Sequence, residues 1–143
     1  MITDVIIPAL NEEASISKVI GDIPKSLVRD IVVVDNGSTD KTVEKAQEAG
    51  AIVLQENQRG YGAACLKGIS YMNSLDQKPD RIAFVDGDYS DYPEDLEILT
   101  DFMEVDHLDL VLGERLTHAQ KRSLTPQQRI GNLIATNTLS WLY

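Results

Sequence analysis

The sequence predicts an α/β domain built on a mainly parallel sheet with helices on both faces. Three observations carry that prediction. Short apolar runs alternate with segments of helical period, in the order βαβαβαβαβ. One run, Ile31-Val32-Val33-Val34, is apolar at every position, as expected of a strand covered on both sides. The runs also end in polar or glycine-rich segments, and open parallel sheets bind ligands outside the carboxyl ends of their strands.

Taken in order, Val5-Ile6-Ile7-Pro8 is the first strand, and Asn11-Glu12-Glu13 supplies the cap and acidic first turn of a helix with Ile16, Val19, Ile20 and Ile23 on one face. Pro24 ends it. The Ile31–Val34 strand stops at Asp35-Asn36-Gly37-Ser38-Thr39-Asp40, a turn and helix cap. The next helix turns Thr42, Val43, Ala46 and Ala49 inward and finishes at Gly50. Residues 51–55 form a weaker third strand. Asn57 to Gly62 is a glycine-rich loop before a helix whose inward residues are Ala63, Leu66, Ile69 and Met72. Ile82-Ala83-Phe84-Val85 is a buried strand running into Asp86-Gly87-Asp88. A proline-started helix from Pro93 to about Met103 leads to a fifth strand, Leu108 to Leu112. Such alternation requires right-handed crossovers.

Beyond Arg115 the pattern changes. Residues 117–125 form a polar, basic loop, and Thr125-Pro126 starts an apolar helix reaching Trp141 and Tyr143. The expected division is a core over residues 1–116 and a loop-plus-helix region over 117–143. An apolar helix that stops at Tyr143 gives the further expectation that the sequence is the front part of a longer protein.

At 143 residues, 43% hydrophobic and 25% charged, the chain fits one folded domain. Thirteen basic residues against 23 acidic ones give a net charge of −10, which argues against nucleic acid or an anionic membrane as a general electrostatic partner. Phosphate binding by so acidic a chain must be local, through a metal, helix N-termini and a few arginines. The lone Cys65 excludes an internal disulfide and reads as a small core residue. Neither a signal peptide nor a run of about 20 apolar residues is visible, so the expected location is cytoplasmic, with the inner face of the membrane open as a working place.

The chemistry concentrates at Asp86 and Asp88. Two carboxylates at the carboxyl end of a strand, separated by a glycine, can offer hard oxygen ligands to one divalent cation. Mg²⁺ keeps coordination places for substrate phosphates, and Mn²⁺ suits the same donors. An isolated Asp-Gly-Asp is more often a simple turn. Here it is one of four such strand ends.

Together the four segments, Pro8 to Glu12, Asp35 to Asp40, Asn57 to Gly62 and Asp86 to Asp88, resemble the inverting family-2 glycosyltransferases. The similarity is strongest to the branch containing dolichyl-phosphate mannose synthase and bacterial polyprenyl-phosphate glycosyltransferases, and it covers nearly the whole chain. It implies the GT-A fold, a Rossmann-like, mainly parallel sheet with helices on both faces. It also implies a nucleotide pocket lined by Pro8, Leu10, Glu12, Asp35 and Asn36, where the family usually has two aspartates at the last two positions. Gly60 and Gly62 would let the chain pass close to the nucleotide. Asp86 and Asp88 match the family's metal-binding DxD, with Ser90 as a further ligand of Mg²⁺ or Mn²⁺. Arg115 and Arg129 match arginines that face the donor diphosphate and the acceptor phosphate.

The activity implied is metal-dependent, inverting transfer from a UDP- or GDP-sugar to a polyprenyl phosphate. Such an acceptor is already anionic and needs no general base. With a hydroxyl acceptor Asp91 is the better candidate base, since His107 and His118 lack the setting. The apolar C-terminal helix fits a membrane interface, and equally a contact with further protein. Two other classes stay open. A sugar nucleotidyltransferase would share the fold and aspartates but usually has a glycine-rich, basic phosphate loop after the first strand. A non-catalytic nucleotide-sugar-binding or scaffold domain would keep the fold without turnover. A Rossmann dehydrogenase is disfavoured, because the first strand lacks a GxGxxG turn.

Overall fold

A computed structural model describes residues 1–113 of the protein. Four parallel strands, β1 (Thr3–Ala9), β2 (Val28–Asp35), β3 (Ile52–Gln55) and β4 (Arg81–Phe84), lie in the order β3-β2-β1-β4. Between them run α1 (Ile16–Asp22), α2 (Thr42–Glu48) and α3 (Tyr61–Ser74); after β4, a 3₁₀ turn over Pro93–Asp95 leads into α4 (Leu96–Val105). The α/β class with a mainly parallel sheet is as the sequence predicts. These described elements fall in the first of the chain's two units, Met1–Val111.

β1 is the central strand and buried along its length. Its side chains alternate between two apolar clusters, as a pleated strand requires. Val5 and Ile7 pack with Ile16, Val19 and Ile20 of α1 and Ala46 of α2. Ile6 faces the other way, with Val32, Val34, Ala64 and Met72. The sheet thus has α1 and α2 on one face and α3 on the other.

The α1 face is the one expected, but the helix starts later. Asn11 takes a left-handed conformation (φ 59) that asparagine tolerates better than most residues, and the chain enters α1 only after Ser15. Before α2 the cap bond comes from Asp40, whose carboxylate accepts the Thr42 N–H at 3.0 Å; Ser38 is engaged elsewhere. In α3 the inward residues are Ala64, Gly68 and Met72, whereas Leu66 is 68% exposed. The inner stripe is offset because Gly68 lies directly over Ile6: a Cβ there would sit 2.7 Å from Ile6 Cγ2. A larger residue there requires Ile6 to move.

Two strand expectations need correction. β4 is half-buried, not buried: Ala83 and Val85 pack toward the core, while Ile82 and Phe84 are exposed. Only β1 pairs with β4 among the described residues. Residues 108–112 form no strand, and Leu108 and Leu110 are exposed. An alternating apolar run becomes a strand only where a neighbour supplies the hydrogen-bond ladder, and no described strand pairs with it. The basic loop, the C-terminal helix and the expected boundary at 116/117 lie outside the described residues. Among those residues no helix is long and apolar enough to cross a membrane.

Candidate active site

The sheet order reverses at β1: the chain runs outward from β1 through β2 to β3, then returns to place β4 on β1's other side. At such a switch point the carboxyl ends of adjacent strands diverge and leave a crevice. Here it is a cleft of about 540 Å³, lined by the segments that follow β1, β2, β3 and β4.

Each segment is held by the next. After β1, Asn11 N–H donates to Ser38 Oγ at 2.9 Å, and Asn11 Oδ1 accepts the Thr39 N–H at 2.8 Å. Glu12 N–H donates to Thr42 Oγ1 at 2.7 Å, and the Ser15 hydroxyl donates to the Glu12 carboxylate. After β2, the buried Asp35 carboxylate closes its own turn by accepting the N–H groups of Gly37 and Ser38 at 3.3 and 3.1 Å. Asn36 acts as a staple. Its Nδ2 donates to the carbonyls of Glu56 (3.0 Å) and Gln58 (2.7 Å), and its Oδ1 accepts the Gly60 N–H at 2.7 Å. Both side-chain N–H donors are therefore spent on the glycine-rich loop. Gly60 itself has φ 128, a conformation nearly confined to glycine, at the point where the loop turns into α3.

Asp86 and Asp88 enter the cleft from the end of β4. Asp86 N–H donates to Asp91 Oδ2 at 3.2 Å, and Asp88 Oδ1 accepts the Ser90 N–H at 2.9 Å. The left-handed residue of this turn is Tyr89 (φ 62), not Gly87; its hydroxyl donates to Asp22 at the end of α1. A Cβ added at Gly87 would lie 3.4 Å from both the Pro8 carbonyl oxygen and Glu12 Cγ, an ordinary contact distance.

From the first turn of α3, Tyr61 reaches across and donates its hydroxyl to Asp86 Oδ1 at 3.1 Å. Burial, the Asp86 charge and that hydrogen bond push the Tyr61 phenol up to about 12. Cys65, one turn further along, is half-buried beside it rather than set in the core; burial first, and then the Asp86 charge, push its thiol up. Both stay protonated at neutral pH. The cleft's other charges are Glu12 and one cation, Arg59, the only basic side chain among the described residues that line it.

The donor set fits Mg²⁺ or Mn²⁺. Two carboxylates supply hard oxygens, and no histidine or cysteine cluster that would favour zinc occurs among the described residues. Those residues also hold no group of three acidic, histidine or cysteine side chains poised around one point. Mg²⁺ is commonly bound by one or two carboxylates plus the phosphates of its ligand.

Of the residues anticipated from sequence, the structure gathers Pro8, Leu10, Glu12, Asn36, Gly60, Asp86 and Asp88 around the cleft. Asp35, Gly62 and Ser90 stand behind or beside it, Ser90 contributing a main-chain N–H to Asp88. Arg115 and Arg129 lie outside the described residues. Sequence reasoning passed over Asn11, Thr39, Arg59 and Tyr61 as site residues. A signal existed for Arg59, a cation inside a glycine-rich loop of an acidic chain. None existed for Asn11 or Tyr61, whose partners are distant in sequence.

Sheet order, cleft and carboxylate pair together define the class, an α/β protein with an acidic ligand cleft at the switch point of a parallel sheet. The chain belongs to glycosyl transferase family 2, whose family model matches residues 4–142. An uncharacterized protein of Methanocaldococcus jannaschii is 35% identical over 130 residues, covering 90% of this chain and 53% of that protein. A dolichyl-phosphate hexose transferase of Haloferax volcanii is 32% identical over 142 residues, covering 96% and 58% respectively. Among solved structures, glucosyl-3-phosphoglycerate synthase from Mycobacterium tuberculosis in complex with Mn²⁺, UDP and glucosyl-3-phosphoglycerate matches with a TM-score of 0.62. The identity is 30%, over 71% of this chain and 39% of that one. The same synthase is also known with Mg²⁺ and UDP. The chain spans little more than half the length of these two curated relatives.

Proposed function

We propose that the cleft binds the nucleoside diphosphate of a UDP- or GDP-sugar with Mg²⁺ or Mn²⁺, and that the protein transfers the sugar with inversion to a polyprenyl phosphate. The observation that carries this reading is the convergence of Asp86, Asp88, Arg59 and the Asn36-stapled loop on one cleft where the sheet order reverses.

Asp86 and Asp88 would hold the cation, with Ser90 as an adjoining oxygen donor. When bound, the metal offsets negative charge building on the departing diphosphate. Arg59 supplies a local positive charge at the phosphates in an otherwise acidic domain, and its fork of donors suits phosphate oxygens. Arg115 and Arg129 are proposed to add to it at the donor and acceptor phosphates. Pro8, Leu10, Glu12 and Asn36 shape the nucleotide side, with Asp35, Gly60 and Gly62 setting the course of the backbone there. Residues 117–143 would begin an acceptor-facing, membrane-proximal region.

The acceptor is chosen on two grounds. One relative is a dolichyl-phosphate hexose transferase. In addition, a phosphate acceptor leaves Asp91, the candidate base for a hydroxyl, without that task. A phosphate oxygen attacks without losing a proton, so no base is required.

The test is transfer from labelled GDP-mannose and UDP-glucose, with Mg²⁺, to a dolichyl-type phosphate and, in parallel, to 3-phosphoglycerate. The expected product is an organic-phase sugar phospholipid of inverted anomeric configuration. Label appearing on phosphoglycerate alone would contradict the lipid-phosphate reading and favour a hydroxyl acceptor.

A further inference from the structure

Tyr61 is out of place as a core residue. It is 60% exposed, yet its hydroxyl is directed at a carboxylate on a segment 25 residues away. Its location is not left to chance. Gly60, whose N–H is held by Asn36 Oδ1, fixes where α3 begins. Ala64, buried beneath the first turn, anchors the helix against the sheet, and Cys65 stands next to the phenol on the same helical face. The ring is thus presented to the cleft by a rigid element.

A carboxylate has about four acceptor positions, so one hydrogen bond from a phenol orients it without exhausting it. Ligating carboxylates are generally steered by such outer hydrogen bonds, and losing one commonly costs about 10-fold or more in metal affinity. On the other side, the Asp86 backbone is fixed by its N–H bond to Asp91. Main chain and side chain of Asp86 are therefore set by different groups.

We propose that Tyr61 is a positioning residue for the donor site: its hydroxyl holds the Asp86 carboxylate in the orientation that meets the divalent cation. The inference rests on reading the cleft as a metal–nucleotide site. It makes the glycine-rich loop part of the metal site, through Asn36, Gly60, Tyr61 and Asp86 in sequence. A loop that shifts on meeting the nucleotide would shift the metal ligand with it.

The experiment compares the protein with its Tyr61→Phe variant, which keeps the ring and removes only the hydroxyl. Mn²⁺ binding is followed by electron paramagnetic resonance with UDP present, UDP binding by calorimetry in EDTA, and folding by the thermal midpoint. The expected result is a Mn²⁺ dissociation constant raised about 10-fold, with the midpoint and the metal-free UDP affinity unchanged. An unchanged or tightened Mn²⁺ affinity in Tyr61→Phe would overturn the inference while leaving the donor site standing. A fall in midpoint with equal loss of metal-free UDP binding would show a packing role and overturn it too. If the unsubstituted protein binds UDP no better with Mn²⁺ than in EDTA, the metal–nucleotide reading itself fails, and the role of Tyr61 with it.

Discussion

Asn36 shows how one amide can set the geometry of a site. An aspartate there, usual in the resembling family, could accept the Gly60 N–H but could not donate to the Glu56 and Gln58 carbonyls, which its oxygens would instead face at close range. The residue is buried, so water cannot easily repair the loss. Asn36→Asp is therefore expected to destabilise the protein by about 2–3 kcal/mol, read as a lower urea midpoint at unchanged slope. A stability equal to that of the unsubstituted protein would show that the staple carries no weight. Other residues here are also explained by partners rather than by type. Asn11, which by type is a helix cap, instead ties the segment after β1 to the segment after β2 across 28 positions. Near the amino-terminal end of the central strand β1, the fully buried Asp4 is matched by a two-pronged contact from Arg29 and by the Asp30 N–H. Nothing in the local sequence around Asp4 or Asn36 announces these pairings. They were illegible because hydrogen-bond partners are set by the tertiary fold.

Elements were easier to anticipate than their faces. Helix α1 buries Ile16, Val19 and Ile20, and Ile23 is buried just past its end, as the period predicts, because a short helix with one apolar stripe has one way to lie. The longer α3 carries apolar residues around much of its circumference, so periodicity left its rotation undecided. The deciding contact is Gly68 on Ile6, a small residue that lets helix and strand approach closely. Ile6 is fully buried among Val32, Val34 and Met72 and has little room to yield. Gly68→Ala should therefore destabilise by about 1–3 kcal/mol from overpacking, partly offset by the roughly 1 kcal/mol that alanine gains over glycine in a helix. Thermal unfolding decides the sign; a raised midpoint would mean that Ile6 repacks freely. Strands divide in the same way. Continuous apolar character marked β2 because both its faces are covered, whereas residues 108–112 had the pattern without a partner among the described residues. Pattern reports burial, and pairing is a non-local fact.

For the molecule as a whole, the order β3-β2-β1-β4 converts four unremarkable loops into one cleft. The gathering of the strand ends on one side was legible from sequence, since alternating strands and helices restrict the topology, whereas the strand order was not. The chain's net charge of −10 makes the arrangement demanding. A diphosphate brought beside Glu12, Asp86 and Asp88 would be repelled unless a divalent cation intervenes, with Arg59 alone among the described lining residues to help. Nucleotide binding should accordingly be conditional on the metal. The exposed Ile82 and Phe84 on β4, and Ile98, Phe102 and Val105 on α4, are apolar surface on the same unit. The direct measurement is calorimetric titration with UDP-glucose and GDP-mannose, each with Mn²⁺ and with EDTA, in the protein and in its Asp88→Ala variant. The prediction is that one donor binds with Mn²⁺, and that its affinity falls at least about 10-fold in EDTA and in the variant. Binding that is indifferent to both metal and Asp88, or a folded protein that binds neither donor, would contradict it.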